Sequence, residues 1–230
     1  MKQIRGFWAA GAILLGCLAS PAWAAERPVV VELFTSQGCS SCPPAEQVLL
    51  ELDAQQTDVF ALGFHVDYWD RLGWKDPYSS RMATDRQQGY QRLIGSEQIY
   101  TPQMVVDGRL DALGSDRDAV TAALRRARAA GKTAVSISLA RSGDAVEVMV
   151  GAGTGRGRAL LIGYDPRRET PVRRGENAGR TIMQANVVRS LTVFGEWTGR
   201  AVALNASAPA GERLAVLLQA PTGEFLGAVR

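Results

Sequence analysis

The feature that most constrains the fold is an apolar run followed closely by two cysteines and a helix start. Residues 29–34 read Val-Val-Val-Glu-Leu-Phe, and a nearly continuous apolar run of this length is typical of a strand covered on both faces of a sheet. Turn residues follow, and then Cys39 and Cys42 precede Pro43 and Pro44. Proline is well placed in the first turn of a helix, where its missing N–H removes no hydrogen bond. The pattern therefore predicts a buried strand, a turn that carries two cysteines, and a helix.

The remainder of the first half has the alternation of an α/β protein. The predicted elements after the first helix are a strand over residues 59–66, an aromatic segment over 67–78, a polar helix over about 80–93, strands over 103–106 and 110–113, and a last helix over 117–130. The dipeptide Asp107-Gly108 is a hairpin-turn signal between the two short strands. The first half is thus predicted as strand, helix, strand, helix, β-hairpin and helix.

The pattern changes beyond Gly131. Residues 135–139 and 146–150 alternate apolar and polar side chains with period two, which is typical of half-buried strands, and more short strands follow between Gly and Pro turns. No helix signal occurs in this half. We therefore predict two domains, an α/β domain over 27–131 and a small β-sandwich over 132–230, which a length of 230 residues allows.

The first 24 residues have the composition of a secretory signal peptide. Lys2 and Arg5 precede an apolar run over residues 6–19, and the sequence Ala-Trp-Ala, a small-x-small cleavage site, ends at Ala24. Two alternatives stay open: a membrane helix, for which the run is short, and lipoprotein processing at Cys17. No later segment has 18 consecutive apolar residues. We predict a secreted or periplasmic protein without a stable membrane span.

Composition narrows the classes of function. Removal of the leader leaves 24 of the 26 basic residues against 23 acidic ones, a formal charge of +1, which is too weak to indicate nucleic-acid binding. His65 is the one histidine of the sequence, so multi-histidine metal sites and zinc sites of four Cys or His ligands are excluded. We predict no cofactor. Loss of the leader also removes Cys17, so that Cys39 and Cys42 are the two cysteines of a chain in an oxidising compartment.

Cys39 and Cys42 are spaced for reversible thiol chemistry. A Cys-x-x-Cys pair alone is also consistent with half a metal site or a structural bridge, and its position between a buried strand and a helix start is what indicates redox chemistry. Backbone N–H groups at the helix N-terminus stabilise a thiolate and lower its pKa. We therefore predict that Cys39 is the nucleophile and that Cys42, one turn on, resolves the mixed disulfide.

A third part of this candidate site is the dipeptide Thr101-Pro102, just before the strand at 103–106. An X-Pro bond adopts the cis form far more readily than other peptide bonds, and Pro102 has no amide hydrogen. We predict a cis bond beside the cysteines and a free backbone edge at Thr101 that pairs with an extended substrate peptide.

Together these elements resemble the thioredoxin superfamily over residues 27–131. Longer segments resemble, more narrowly, a secreted bacterial family known as domain of unknown function 1223; these are residues 32–45, 64–70, 100–108, 174–180 and 186–189. The resemblance implies an α/β, thioredoxin-like domain followed by a small C-terminal β-sandwich. It also implies a thiol–disulfide oxidoreductase that exchanges with protein thiols or disulfides and with a further redox partner. The narrower family carries no assigned activity, and Ser40-Ser41 replaces the Gly-Pro-like pair of ordinary thioredoxins.

Other side chains are candidates for supporting roles. Glu32, an acid within the apolar run, and His65, at the end of the second strand, are candidate proton relays to the thiols. Trp69 and Trp74, in the aromatic segment, are candidates for a substrate-binding wall, although packing of that segment explains them as well. Residues 156–180 contain seven arginines against three acids, which is either a docking face or a set of solvated loops.

Two alternative functions stay open from the residues alone. Cys39, Cys42 and His65 supply two thiolates and one imidazole, a set of donors that suits copper or another soft metal. The second alternative is a non-catalytic interaction protein, whose β half binds the partner and whose disulfide holds a turn.

Overall fold

The structure, a computed structural model, describes residues 27–130 and 134–230. The predicted signal peptide over residues 1–24, its cleavage after Ala24 and the alternative lipoprotein site at Cys17 lie outside the described residues. None of the helices in the two described ranges is long and apolar enough to span a membrane.

The first half confirms the predicted order of elements. In chain order they are β1 (Val29–Thr35), α1 (Pro43–Gln55), β2 (Val59–His65), α2 (Arg81–Ile94), β3 (Gln103–Val106), β4 (Leu110–Leu113) and α3 (Arg117–Ala129). A single 3-10 turn, Asp70–Leu72, lies within the aromatic segment that follows β2. The helix α1 begins at Pro43, as the two prolines predict, and Cys42 is its N-cap residue.

The described residues of the second half form strands and connecting loops and no helix, as predicted. The strands are β5 (Ile137–Ser142), β6 (Ala145–Val150), β7 (Gly157–Pro171), β8 (Thr181–Trp197), β9 (Val202–Ser207), β10 (Arg213–Gln219) and β11 (Phe225–Val229). The prediction of short strands is wrong for β7 and β8, which have 15 and 17 residues. Ile182 and Val193 lie eleven residues apart in the sequence and yet belong to the same strand, β8.

One eight-stranded mixed sheet contains strands of both halves, in the order β11-β10-β7-β8-β2-β1-β3-β4. The two halves join where β8 runs parallel to β2, with Val187 opposite Gly63. Glycine suits this close approach, because a Cβ atom on residue 63 would lie 3.2 Å from the carbonyl oxygen of Ala185, a tight contact. The division into domains at residues 131 and 132 stays a prediction, although the hydrogen-bonded sheet continues across it.

A second sheet has three antiparallel strands in the order β5-β6-β9. Its apolar face, with Val146, Val148 and Val150, packs with Leu161 and Val216 of the large sheet in one buried cluster. Two packed β-layers are therefore present, as expected of a sandwich. The expectation of a self-contained small sandwich needs correction, because one of its layers is a continuation of the large sheet.

The large sheet has a core on each face. Side chains alternate along β1, so that Val31 and Leu33 join the cluster under α1 and α3, whereas Val30 and Phe34 join the cluster under α2. Every residue of β1 is buried, which agrees with the prediction of a strand covered on both faces. Since β1 is parallel to β2 and antiparallel to β3, the ends of β1 and β2 and the start of β3 meet at one edge of the sheet.

Candidate active site

Cys39 and Cys42 form a disulfide at this edge, with their Cα atoms 5.4 Å apart. The N–H of Cys42 donates to the carbonyl oxygen of Cys39 at 3.2 Å, which closes the turn. The N–H groups of Ala45 and Glu46 donate to the carbonyl oxygen of Cys42 at 2.9 and 3.1 Å and start α1. The cysteines therefore lie at the positive end of a helix, where a thiolate released from the disulfide is stabilised.

Both cysteines are buried, and this sets a condition on their chemistry. Cys39 and Cys42 expose 0% and 1% of their surface, whereas Ser40 and Ser41 between them are exposed. The Ser41 hydroxyl lies 3.3 Å from Cys39 Sγ. Thiol–disulfide exchange requires a collinear approach of the attacking thiolate to one sulfur. Neighbouring loops must therefore move before a partner reaches the disulfide.

The Thr101–Pro102 bond is cis, as predicted. Gln103, the next residue, pairs with Phe34 near the end of β1, so Pro102 lies at the edge of the sheet that carries the cysteine turn. The Thr101 hydroxyl accepts a hydrogen bond from the Trp69 indole N–H at 2.8 Å. The structure thus brings three of the predicted substrate-binding residues to one edge.

The fourth of these residues, Trp74, holds the loop before the cysteines. Its indole N–H donates to the side-chain oxygen of Gln37 at 3.0 Å, and Trp69 also lies close to this loop, because a Cβ atom on Gly38 would be 3.4 Å from Trp69 Cβ. Both tryptophans are half-buried. The Trp74 hydrogen bond and the packing of Trp69 against Gly38 support this loop, and the substrate-binding wall stays a prediction.

Behind the cysteines lies a buried polar cluster that joins α1, β1 and β2. Glu46 Oε1 accepts from the Thr35 hydroxyl at 2.9 Å and lies 3.9 Å from His65 Nε2. His65 Nδ1 lies 2.6 Å from Asp76 Oδ2, which also accepts from the Gln37 N–H at 2.8 Å. Among the described residues, Glu46 Oε2 and His65 Nε2 have no hydrogen-bond partner. Buried polar atoms without a partner are rare in folded proteins and point to a function or to bound water.

Burial and mutual attraction set the protonation of this cluster. Burial raises the pKa of Glu46 to about 7, although His65 and the Thr35 hydroxyl act in the opposite direction. Burial lowers the pKa of His65, but the attraction of Asp76 and Glu46 outweighs it and holds that pKa above its usual value. Likewise, burial raises the pKa of Asp76, but His65 and three hydrogen bonds bring it below the usual value. The Glu46 carboxyl is therefore able to gain or lose a proton near neutral pH.

Glu32, the other candidate relay, is engaged elsewhere. Its carboxylate accepts from Arg86 at 2.6 and 3.0 Å and from the Tyr90 hydroxyl. Arg86 and Tyr90 belong to α2, which covers the sheet face opposite to α1. Side chains alternate along β1, so Glu32 points away from α1 and from the cysteine turn that precedes it. The structure brings His65 to the site and does not bring Glu32.

Glu46 and Asp76 were missed by the sequence analysis. For Glu46 a signal existed: it stands four residues after Cys42 and among apolar helix positions, Ala45 and Leu49, which are buried. An acid on the apolar side of a short helix indicates a buried carboxyl. Asp76 has no such local signal, because only the path of the aromatic segment brings it to His65.

The tip of the β7–β8 hairpin, residues 172–180, completes the site. The buried Asn177 side chain donates to the carbonyl oxygens of Gln37 at 2.9 Å and Cys39 at 2.8 Å. The Glu176 carboxylate accepts from the Ser40 N–H at 3.0 Å. A segment more than 130 residues away in sequence therefore fixes the backbone of the cysteine turn.

A metal site receives no support from the geometry. In residues 27–130 and 134–230, no three Cys, His, Asp or Glu side chains are grouped so that they could hold a metal ion. Cys39 and Cys42 are joined to each other, and His65 Nδ1 faces Asp76 at 2.6 Å. The soft-metal alternative therefore has the right residue types without the arrangement that ligation requires.

Comparison with known proteins places this site in a family. Residues 30–219 match the family described as "Protein of unknown function (DUF1223)". The chain belongs to the DUF1223 family. The matched residues include the cysteine pair, the buried cluster, the cis proline and the hairpin tip, so the whole candidate site lies within the region that defines DUF1223. No curated protein matches the chain.

Two solved structures are similar. A crystal structure of protein AGR_C_4864 from Agrobacterium tumefaciens has 33% sequence identity and a TM-score of 0.76, and the match covers 90% of this chain and 95% of that one. HBP35 of Porphyromonas gingivalis has 12% identity and a TM-score of 0.61, over 89% of this chain and 74% of that one. At this low identity the second match shows a shared fold alone.

Proposed function

We propose that this DUF1223 protein is a thioredoxin-like thiol–disulfide oxidoreductase that uses Cys39 and Cys42 as its redox pair. The observation that carries the proposal is the position of the disulfide: it closes the turn between a buried strand and the N-terminus of α1, with Cys42 as the N-cap. A disulfide that spans three positions constrains little of the unfolded chain, so stabilisation of the fold is a weak explanation for it. A helix N-terminus favours thiolate formation, which is what exchange requires.

The exchange steps follow from this arrangement. When the protein reduces a partner, the Cys39 thiolate attacks one sulfur of the partner's disulfide, that S–S bond breaks, and the outgoing partner sulfur takes a proton. Cys42 then loses its proton and attacks Cys39 Sγ, and the second partner sulfur leaves with the electron pair. The partner gains two electrons and the cysteine pair loses two. Oxidation of a partner is the reverse, and a separate redox partner restores the starting state.

Glu46 and His65 are the groups that we propose to accept and return the Cys42 proton. Glu46 lies one helical turn beyond Cys42, and side chains at this spacing share a face of the helix. Both residues are buried, so water competes little for the proton. With a pKa of about 7, the Glu46 carboxyl matches the range in which a thiol must be activated. Glu32, bound to Arg86, has no part in this proposal.

The predicted signal peptide over residues 1–24 supports an extracytoplasmic place of action. We propose that the chain acts in the periplasm or after secretion, where disulfides persist and partners with exposed thiols or disulfides are present. Its partners there are protein thiols or disulfides, and Thr101, Pro102, Trp69 and Trp74 are the residues proposed to receive the partner's extended segment.

Trapping of a mixed disulfide tests the proposed function. In Cys42→Ser, the Cys39 thiolate still attacks a disulfide but the resolving thiol is absent, so one mixed disulfide per chain accumulates. The measurement is intact-protein mass spectrometry after incubation with a peptide disulfide, under non-reducing conditions. Cys39→Ser is the matched control, because it keeps one thiol in the same turn and should trap several-fold less.

Two results would overturn the proposal. One is equal trapping by the two variants, which would remove the division of roles between nucleophile and resolving thiol. The other is a folded wild-type protein whose disulfide stays intact with dithiothreitol, which would identify the disulfide as structural.

A further inference from the structure

Two loops flank the cysteine turn and contact each other. One is the segment 70–75, which follows β2, and the other is the hairpin tip 172–180. A Cβ atom on Gly175 would lie 3.1 Å from Trp74 Cβ, so the backbone of the tip packs directly on the first loop. Because the tip is also hydrogen-bonded to the cysteine turn, any partner that reaches the disulfide must meet these two loops.

The outer surface of the two loops is basic. Arg71 and Lys75 of the first loop and Arg173 and Arg174 of the tip are exposed, and we call these four residues the basic rim. None of the four side chains has a hydrogen bond or an ion pair with the described part of the chain. Four positive charges around one edge therefore face solvent without internal compensation.

Asp70 and Asp76 at the first loop are engaged by hydrogen bonds within the protein, whereas Glu176 of the tip is exposed. The Asp70 carboxylate accepts from the Asp76 N–H at 3.2 Å and from the Ser79 hydroxyl at 2.7 Å. Asp76 itself is buried against His65, and Glu176 binds the backbone of the cysteine turn. On the surface of these loops, the four cations of the basic rim therefore outnumber the exposed Glu176 carboxylate. An apolar contact point lies among them, because Leu72 is 52% exposed.

We propose that the basic rim selects partners whose reactive cysteine lies in an acidic protein segment. This inference rests on the proposed function and names its substrate class: a cysteine flanked by Asp or Glu, with an apolar neighbour that contacts Leu72. Complementary charge around a site raises the rate of association by about 10-fold to 1,000-fold, and the gain falls as salt screens the field. The formal charge is +3 for the whole sequence and +1 without the predicted leader, so most of the attraction would come from this local arrangement.

The reaction itself is the exchange already described, in the direction that starts from the disulfide-bonded form of Cys39 and Cys42. A thiolate of the acidic segment attacks Cys39 Sγ, the Cys39–Cys42 bond breaks, and Cys42 receives the electron pair and a proton. A second thiolate of the same segment then attacks the segment's first cysteine sulfur, which is bonded to Cys39 in the mixed disulfide. The new disulfide forms within the segment, and Cys39 leaves with the electron pair. The segment is oxidised by two electrons and the cysteine pair is reduced by two.

Two peptides of equal length test the proposal. Each peptide carries two cysteines, which are flanked by glutamates in one peptide and by glutamines in the other. Each peptide is used to reduce the disulfide of the chain without its predicted leader, residues 25–230, under second-order conditions. We expect the acidic peptide to react about tenfold faster or more in low salt. As the salt concentration is raised from about 20 to about 500 mM, the ratio of the acidic-peptide rate to the neutral-peptide rate should fall towards one. Stopped-flow or quenched mass spectrometry measures both rates.

A double variant and a matched control locate the effect. Arg173→Gln with Arg174→Gln should lower the ratio of acidic to neutral rates several-fold. Arg125→Gln with Arg126→Gln removes two adjacent exposed arginines of α3 and changes the net charge equally, and it should keep the wild-type ratio. Since each protein is compared with itself on two peptides, a general loss of reactivity does not alter the ratio.

The outcomes separate this inference from the proposed function. Equal rates for the two peptides, or an equal fall of the ratio in both double variants, would overturn the role of the basic rim while exchange itself stands. If neither peptide nor dithiothreitol reduces the folded protein, the proposed function fails, and the inference about the basic rim fails with it.

Discussion

At the scale of single residues, Glu46 is the buried carboxyl beside the cysteine turn whose pKa is raised most clearly by burial. Its carboxyl is buried within α1, faces His65 across 3.9 Å and leaves Oε2 without a hydrogen bond among the described residues. The pKa of Glu46 is raised to about 7, mainly by burial. At pH values between 4.5 and about 7, Glu46 keeps its proton in the folded state and has lost it in the unfolded state. Its contribution to stability therefore declines as pH rises from about 4.5 to about 7.

Glu46→Gln should remove this decline. We expect the variant to be more stable than the wild type at pH 8, by a free energy of unfolding on the order of 3 kcal/mol, and to differ by less than about 1 kcal/mol at pH 5. His65 and Asp76 are present in both proteins, so the difference reports mainly on Glu46. Denaturant unfolding of the disulfide-bonded proteins at the two pH values measures it.

The control for this prediction is Glu97→Gln, which changes an exposed acid between α2 and β3. It should shift the free energy of unfolding by a similar small amount at both pH values. A Glu46→Gln effect that is equally independent of pH would contradict the raised pKa.

At the scale of elements, the tip of the β7–β8 hairpin acts as a clamp on the cysteine turn. The Asn177 amide donates to two carbonyl oxygens, of Gln37 and Cys39, and is fully buried. Side-chain amides that bind backbone groups substitute for secondary-structure hydrogen bonds where the chain is irregular. The order of the turn therefore depends on an element that folds in the second half of the chain.

Asn177→Ala should loosen this clamp. The two carbonyl oxygens lose a buried donor, which lowers the free energy of unfolding by about 1–3 kcal/mol. Amide hydrogens of residues 36–42 should exchange faster, because the turn opens more often. Hydrogen–deuterium exchange with mass spectrometry measures the protection of that segment. Ala178→Ser, at the exposed neighbouring position, is the control, and unchanged protection in Asn177→Ala would show that the turn is held by other contacts.

At the scale of the whole molecule, the two halves share the large sheet and the core on one of its faces. The cluster under α2 contains Phe60 and Phe64 of the first half together with Leu160, Ile162 and Leu217 of the second. Gln219 donates to the Tyr90 hydroxyl at 3.0 Å across the same junction. Separation of the halves would expose these side chains, each of which contributes about 1.5–3 kcal/mol when buried.

A fragment of residues 27–131 should therefore fail to fold alone. Domains of this size have free energies of unfolding of about 5–15 kcal/mol. Exposure of several buried side chains costs a free energy of similar size. Near-ultraviolet circular dichroism should show no fixed tertiary structure, and denaturant should give no cooperative transition. The intact chain cleaved at residues 131–133 after folding is the control and should keep its cooperative transition. Cooperative unfolding of the isolated fragment would instead establish the domain division that the sequence predicts.

Much of the site could be predicted from local sequence. Cys39 and Cys42 followed by Pro43 mark a turn and a helix start, and these signals depend on neighbours in the chain. The cis bond before Pro102 and the β-hairpin that follows have the same local origin. The first half was accordingly predicted in its correct order, and the cysteine pair lies where the sequence indicates.

What only the tertiary structure decided depends on pairing between distant segments. The parallel contact of β8 with β2 at Gly63 merges the two halves into one sheet, and no periodicity within β8 specifies that neighbour. The same holds for charges: the side on which Glu32 points, and the meeting of Glu46, His65 and Asp76, follow from strand register and helix packing. Short-range propensity determines which elements form, whereas the partners of a buried polar group are set by which surfaces the fold brings together.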